Sequence, residues 1–241
     1  MTQHLWVSEG MLANRFWQAV GDSVYRSEAT RDAEMISERT APLVDKFPSV
    51  AGSISLNSAS LIWLTTKYFA PKVICEVGTY IGRSTLAMAC GCASTLTELY
   101  TCDGTYDCMN FDDFKELDLN KDKLDAINKI KYFGKTMSHD MFAEIKNLNK
   151  KADLIFIDGR LSDQDVSLIK QIANPECIFL IDDFEGVEKG VLNAMILRNN
   201  FPNYIILEPL FETSGQREVL AVMVPSQIIK LSRQQKLPVN M

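Results

Sequence analysis

The chain has 241 residues, of which 46% are hydrophobic and 23% are charged, and its net charge is −6 at pH 7. This composition fits one large globular α/β domain, and the absence of a basic stripe argues against nucleic acid as a partner. No run reaches the roughly 18 apolar residues of a membrane span, and we find no signal peptide, so we expect a cytoplasmic protein without a membrane partner.

The first third of the chain is predicted to be helical. A helix follows Ser8, a second covers residues 27–46 with an interruption at Pro42, and a third covers residues 58–69. Residues 1–71 are therefore expected to form an N-terminal helical segment, which could cap a site, contribute to substrate binding or provide a homodimer interface.

From residue 72 onwards, short apolar runs alternate with helical stretches. The runs are hydrophobic at consecutive positions, which is typical of strands buried on both faces. The predicted strands are 72–77, 99–102, 130–133, 154–157 and 177–181. The predicted helices are 84–93, 120–129, 140–149, 162–173 and 186–199.

The end of the chain departs from this alternation. Residues 204–207 and 219–223 are predicted to be strands with no helix between them, so they could pair as an antiparallel hairpin. The sequence thus predicts an α/β fold with a doubly wound, mostly parallel seven-stranded sheet of the Rossmann-like type. This core would span residues 72–225, and residues 226–241 would form a tail.

Six cysteines occur in the chain, and none forms a CxxC pair. Cys75, Cys102 and Cys177 lie in or beside apolar runs, where a thiol behaves as a small core residue. We expect reduced thiols rather than disulfides or a metal site.

Ligands bind beyond the carboxyl ends of the strands in an open α/β sheet. Polar and small residues stand at these positions after each of the first five predicted strands. They are Glu76 to Gly82, then Asp103, then Ser138 and His139, then Asp158 to Arg160, and finally Asp182 and Asp183.

The turn after the first strand points to the kind of ligand. Its glycines, Gly78 and Gly82, are spaced G-x-x-x-G, so the middle glycine of the nicotinamide dinucleotide fingerprint is missing, and Glu76 would repel a diphosphate. S-adenosylmethionine carries an ammonium and a sulfonium but no phosphate. Glu76 could balance its positive end, Gly78 would allow close approach, and Asp103 could accept hydrogen bonds from the ribose.

Five stretches, in order, resemble those of class I S-adenosylmethionine-dependent methyltransferases: EVGTYIGRSTLAMA, YTCDG, TMSHDMF, ADLIFIDG and IFLIDDFEGVEKGV. They are most similar to the metal-dependent small-molecule O-methyltransferases, the branch of the catechol and macrolide-sugar enzymes. The resemblance covers about residues 72 to 224.

The resemblance implies a set of residues around S-adenosylmethionine. Asp103 would hold the ribose, Ser138 and His139 would contact the adenine, and Asp158 and Arg160 would also line the cofactor site. The methionine portion would be held by Glu76, Gly78, Thr79, Tyr80, Gly82 and Ser84.

The resemblance also implies a divalent-metal site at Asp158, Asp182 and Asp183. Three carboxylates suit Mg²⁺, which would orient a substrate hydroxyl for attack on the sulfonium methyl, so Asp158 is also a candidate catalytic residue. In an alternative interpretation, Asp182 and Asp183 cap a helix, and Asp158 belongs to an ordinary turn.

The general base is the least defined part of the prediction. The catechol branch has a lysine three residues after the first metal aspartate, where this chain has Leu161. His139 is a candidate catalytic base because imidazole titrates near neutral pH, although adenine packing and an ordinary surface position are alternatives.

These observations predict a metal-dependent O-methyltransferase acting on a hydroxyl of a small molecule. The substrate pocket would be built by the N-terminal helices, the acidic loop 103–119 and the segment 184–211. The alternatives are a metal-independent methyltransferase of the same fold that acts on another nucleophile, a nicotinamide-dependent oxidoreductase, and a catalytically silent cofactor-binding or assembly protein.

Overall fold

Seven strands form one sheet in the computed structural model, which describes residues 16–18, 20, 23–47, 53–93, 95, 97–114, 119–184, 186–208 and 219–226. The strands are β1 (Val73–Val77), β2 (Glu98–Asp103), β3 (Ile130–Gly134), β4 (Ala152–Ile157), β5 (Ala173–Ile181), β6 (Tyr204–Leu207) and β7 (Ala221–Pro225). Their order in the sheet is β3-β2-β1-β4-β5-β7-β6.

The pairing confirms the predicted mixed sheet. Strands β1 to β5 pair in parallel, whereas β7 runs antiparallel to both β5 and β6. The chain order reverses between β1 and β4, so the fold has the switch point at which doubly wound sheets bind ligands.

Seven α-helices have both ends within the described residues, and they connect and flank the strands. They are α1 (Arg26–Lys46), α2 (Leu56–Phe69), α3 (Arg83–Gly91), α4 (Lys121–Ile127), α5 (Ser138–Asn147), α6 (Asp163–Ile172) and α7 (Leu192–Asn200). A 3₁₀ helix spans Phe111–Phe114, and a π-helix, Val187–Val191, precedes α7. Residues 16–18 and 20 are also helical.

Alternate residues of the strands enter two different cores. Ile74 of β1 packs in one core, beneath helices α1 to α4, whereas its neighbour Cys75 packs in the other, beneath α5 to α7. Burial on both faces explains why these strands are hydrophobic at consecutive positions.

Helix α1 is tied to the rest of the first core by buried polar contacts. The Nζ of Lys123 lies 2.6 Å from Oδ2 of Asp32 and 2.7 Å from Oε1 of Glu28. The indole of Trp63 donates a hydrogen bond of 3.0 Å to the same oxygen of Asp32. These contacts join α1 to α2 and α4, so the N-terminal helices share a core with the sheet.

The structure corrects the prediction at Pro42. Helix α1 continues unbroken through Pro42, from Arg26 to Lys46. Both Pro42 and Glu38 are exposed, so water can hydrate the Glu38 carbonyl that the proline leaves without a helical donor. An exposed position near the helix end therefore tolerates a residue that would break a buried helix.

Other boundaries differ modestly from those predicted. The last strand begins at Ala221 rather than at 219, and β5 begins directly after α6 at Ala173 rather than at 177. The capping motif before α6 is confirmed, because the side chains of Ser162 and Asp165 each accept from the other's backbone N–H. The predicted helix after Ser8 begins outside the described residues.

All six cysteines are free, and every one except the half-buried Cys108 is buried, which agrees with their predicted role in the core. None of the helices within the described ranges combines the length and apolar character needed to span a bilayer.

Candidate active site

A cavity of about 590 Å³ lies at the carboxyl ends of β1, β2, β4 and β5. A volume of this size suits a small-molecule ligand, and its location is the one expected for an open α/β sheet. Its wall includes Ser53–Ser55, Gly78 and Tyr80, Asp103–Tyr106, Met137 and Ser138, Asp158–Arg160, Asp182 and Asp183, Lys189, and Val219.

The turn after β1 depends on the glycine at position 78. Gly78 has a φ of +100°, and a Cβ there would lie 3.1 Å from the carbonyl carbon of Asp158. Its N–H donates a hydrogen bond of 2.9 Å to the carbonyl of Cys102. The turn is thus fixed against the neighbouring strands on both sides, and its backbone can approach a ligand closely.

The carboxylate of Asp103 connects two loops of the cavity wall. Its Oδ2 accepts from the N–H of Tyr80 at 2.8 Å, and its Oδ1 accepts from Thr105 at 2.8 Å and Tyr106 at 2.7 Å. Each carboxylate oxygen has two lone pairs, so one acceptor position remains, on Oδ2, for a hydroxyl donor in the cavity. Asp103 can therefore shape the site and bind a ligand at once.

Glu76 occupies a different environment from the one the sequence indicated. Its side chain is completely buried, and its two oxygens accept hydrogen bonds from the hydroxyls of Ser84 and Thr85 in the first turn of α3. Burial raises the pKa of Glu76 to about 7, although these hydroxyl donors oppose the shift. Glu76 and Ser84 are not part of the described cavity wall, so direct contact with a cofactor stays a prediction for both.

Three further predicted cofactor residues lie outside the described cavity wall. The Thr79 hydroxyl pairs with that of Thr101, and Gly82 packs against the side chain of Met109. The imidazole of His139 lies 3.7 Å from the carboxylate of Asp140 on the same helix. A catalytic or adenine-binding role for His139 remains a prediction, whereas its neighbour Ser138 does line the cavity.

The three predicted metal ligands come together at one end of the cavity. Asp158, Asp182 and Asp183 each offer an oxygen, and these three oxygens lie within 4.8 Å of one another. Asp183 adopts a left-handed backbone with a φ of +54°, an unusual conformation for a residue with a side chain. Within the described structure, Oδ1 of Asp182 is buried and has no hydrogen-bond partner.

Electrostatics in this acidic cluster favour protonation when no further cation is present. Burial raises the pKa of Asp158 to about 6, even though the Lys189 ammonium opposes the shift. Burial, together with the carboxylates of Asp158 and Asp183, raises the pKa of Asp182 well above its usual range. A bound cation would offset this cost, because it would stabilise the charged carboxylates.

The structure adds Lys189 of the π-helix, which the sequence prediction missed. Its Nζ donates a hydrogen bond to Oδ1 of Asp158 and another of 2.6 Å to Oδ2 of Asp183. Burial alone would lower the pKa of Lys189, but the carboxylates of Asp158 and Asp183 raise it overall, so the amine is protonated at neutral pH.

Gly190 brings Lys189 to the acidic cluster. A Cβ at Gly190 would lie 2.4 Å from the carbonyl oxygens of both Asp182 and Asp183, so only glycine permits this approach. The Lys-Gly pair shortly after the Asp-Asp pair was the available sequence signal. It was not decisive, because sequence alone does not show that a π-helix turns the lysine back towards the acids.

Comparison with known proteins gives a family match for the central part of the chain. A family model described as a methyltransferase domain matches residues 75–184. No curated protein matches the sequence significantly.

Solved structures share the fold at low sequence identity. An O-methyltransferase from Bacillus cereus, in complex with SAH, has a TM-score of 0.59 and 17% identity, covering 86% of this chain and 96% of that one. The O-methyltransferase TomG from Streptomyces achromogenes, involved in tomaymycin synthesis and solved with SAM, has a TM-score of 0.57 and 13% identity, covering 93% and 99%.

The methyltransferase-domain match covers residues 75–184, and the fold around it is shared with solved O-methyltransferases. The fold is a Rossmann-like sheet of seven strands. Over residues 75–184, the family match agrees with the resemblance that the five sequence stretches indicated.

Proposed function

We propose that the protein is an O-methyltransferase that transfers the methyl group of S-adenosylmethionine to a hydroxyl of a small molecule, with a divalent cation such as Mg²⁺ at Asp158, Asp182 and Asp183. The observation that carries this proposal is the acidic cluster beside Gly78 and Asp103 in one cavity. A cofactor site and a cation site in the same cavity fit methyl transfer to a hydroxyl oxygen. In this transfer the sulfonium C–S bond would break as the O–C bond forms, S-adenosylhomocysteine would leave, and the hydroxyl proton would pass to water.

The residues present fit a divalent cation. The buried Oδ1 of Asp182 lacks a partner among the described residues, and the three carboxylates together with the Lys189 ammonium leave two negative charges uncompensated when ionised. Carboxylate oxygens are the ligands that Mg²⁺ prefers. When bound, the cation would supply Lewis acidity that orients the substrate hydroxyl and lowers its pKa.

The chain's own residues would position the two reactants. Asp103 would accept a hydrogen bond from the cofactor ribose at Oδ2, while the bare backbone at Gly78 would allow the cofactor to lie against the turn after β1. Ser53–Ser55 and Tyr106 also line the cavity, where they would enclose the acceptor and exclude water. Holding the two reactants in line in this way supplies much of the rate enhancement of a group transfer.

A second candidate is a metal-independent methyltransferase of the same fold that acts on another nucleophile. The position of Lys189 favours it, because an ammonium already contacts two of the three aspartates. The nicotinamide alternative has only the incomplete glycine pattern in its support.

Methyl transfer to a panel of catechols, phenols and sugars tests the proposal, with a mass gain on the acceptor as the readout. We expect turnover that excess chelator abolishes and Mg²⁺ restores, and a loss of at least about a hundredfold in Asp158→Asn. Asp163→Asn is the matched control, because Asp163 is exposed on α6 and is not among the residues of the described cavity wall. Full activity in excess chelator would contradict the proposed metal requirement. Methylation of amines or thiols alone would favour the second candidate.

A further inference from the structure

We propose that Lys189 competes with the divalent cation, so that the ammonium and the metal ion exchange at Asp158 and Asp183. This inference rests on the proposed function, because it concerns the same metal site. It adds a role for a residue that the resemblance to other methyltransferases did not indicate.

The contacts of Lys189 are the first argument. Its ammonium donates to one oxygen of Asp158 and one of Asp183, two of the three groups that a metal would need. A divalent cation at these carboxylates would lie close to a like charge in a site where Lys189 is only 22% exposed, and such charges repel strongly. The two cations are therefore not expected to occupy the same aspartates together.

The third aspartate makes exchange feasible. Oδ1 of Asp182 is buried and unpartnered within the described residues, so it is available to a cation while Lys189 still holds the other two. A metal ion could thus bind first at Asp182 and then replace the ammonium at Asp158 and Asp183.

The backbone fixes where the displaced amine would go. Gly190 packs against the carbonyl oxygens of Asp182 and Asp183, so the π-helix cannot approach the acids any further. The side chain of Lys189 has a flexible four-carbon stem and lines the cavity. The amine can therefore rotate from the aspartates into the cavity without a backbone movement.

Two consequences follow for the site. Lys189 keeps Asp158 and Asp183 oriented when no metal is bound, and it weakens metal binding compared with three unpaired carboxylates. Exchange also delivers a cationic side chain to the cavity at the moment when the metal enters.

Binding of Mn²⁺ to the full-length protein, followed by the loss of the free-ion EPR signal at one fixed pH, tests the exchange without turnover. Removal of the competing charge in Lys189→Met should tighten Mn²⁺ binding by about tenfold or more. Lys189→Gln should behave in the same way, and it serves as the second variant if Lys189→Met folds poorly by circular dichroism. Lys189→Arg retains the charge and should bind no more tightly than wild type.

Arg160→Met is the matched control. Arg160 lines the same cavity but lies 3.8 Å from Glu188 and is 73% exposed, so its removal should change Mn²⁺ affinity by less than about twofold. A comparable gain in Arg160→Met would mean that general charge, rather than exchange at the aspartates, sets the affinity, and it would overturn the proposal.

The remaining outcomes separate this proposal from the proposed function. Binding by the Met or Gln variant but not by wild type would support exchange in its strongest form. If both Lys189→Met and Lys189→Gln bind Mn²⁺ no more tightly than wild type does, the exchange proposal is overturned. Mg²⁺-dependent turnover would in that case still support the proposed function. No Mn²⁺ binding to any of these proteins overturns exchange and the metal site together, whereas methyl transfer itself would still be testable by turnover.

Discussion

Glu76 is a carboxylate with no exposure to solvent, held by two hydroxyl donors of α3. Its pKa of about 7 lies above the ordinary value of 4.5. Between these pH values the folded protein keeps a proton that the unfolded chain has released. The free energy of unfolding therefore falls as the pH rises from about 4.5 to about 7, by roughly 3 kcal/mol from this group.

Replacement by the isosteric neutral amide in Glu76→Gln should remove this pH dependence. We expect the free energy of unfolding of the variant, relative to that of wild type, to rise by roughly 3 kcal/mol from pH 5 to pH 8. Urea unfolding at these two pH values measures the change. If Glu76→Gln and wild type differed in stability by the same amount at pH 5 and at pH 8, Glu76 would be ionised in the folded protein at both pH values.

Glu98→Gln is the matched control for this measurement. Hydrogen bonds from Lys150 and Tyr100 lower the pKa of Glu98 to about 2, so its carboxylate is ionised in both the folded and the unfolded states above pH 5. Its stabilisation is present throughout this pH range and is lost only at lower pH. The variant should keep the wild-type change in stability from pH 5 to pH 8.

Single residues also show how far the sequence could define the site. The ends of β4 and β5 could be recognised from apolar runs, so Asp158, Asp182 and Asp183 were predictable as neighbours at one edge of the sheet. Lys189 was not, because its approach depends on the π-helix and on a close backbone contact at Gly190. The environment of Glu76 was also not predictable, since a strand-end acid can face either the cavity or the following helix.

Helix α1 illustrates the element scale, because buried polar contacts as well as apolar packing fix where it docks. The side chains of Lys123 and Asp32 are only 3% and 2% exposed, so both charges of the pair are shielded from water. Thr40 of α1 also accepts from Nε of Arg83, at 2.8 Å, and the Tyr80 hydroxyl donates to the carbonyl of Phe47, at 2.6 Å. The helix is therefore connected to the turn that lines the cavity.

Lys123→Met should destabilise the protein by about 3–5 kcal/mol, because it leaves the buried Asp32 carboxylate with only the exposed guanidinium of Arg31, 3.7 Å away. Urea unfolding measures this loss. The double variant Asp32→Asn/Lys123→Met should recover part of it, since the unpaired charge is then gone. A nearly neutral effect of Lys123→Met would show that α1 docks without the ion pair.

Elements with strong periodicity were also the ones that the sequence located well. The five parallel strands could be predicted because burial on both faces leaves a continuous apolar run. The continuation of α1 through Pro42 could not be predicted, because whether a proline ends a helix depends on the exposure of the carbonyl four residues earlier. The π-helix before α7 likewise has no periodic signal of its own.

At the scale of the whole molecule, cofactor binding should be coupled to global stability. A ligand present at about 100 times its dissociation constant stabilises the folded state by about 2.7 kcal/mol, which corresponds to a rise in Tm of roughly 5–10 °C for a chain of this size. S-adenosylhomocysteine should produce such a shift in a thermal unfolding experiment.

Asp103→Ala should lose most of this shift at the same ligand concentration, because Asp103 organises the loops on both sides of the proposed ribose site. A nicotinamide dinucleotide should give no shift with either protein. The opposite pattern, a shift with the dinucleotide and none with S-adenosylhomocysteine, would contradict the proposed cofactor.

The position of β7 between β5 and β6 has a consequence for synthesis on the ribosome. Strand β6 pairs with β7, and β7 is the last strand of the described chain to be translated. Until β7 emerges from the ribosome, β6 lacks its partner strand and β5 has one unpaired edge. Unpaired strand edges can pair with other chains. The sheet can therefore be completed only when the last residues of the core have been translated. By then all three aspartates of the acidic cluster have already been synthesised.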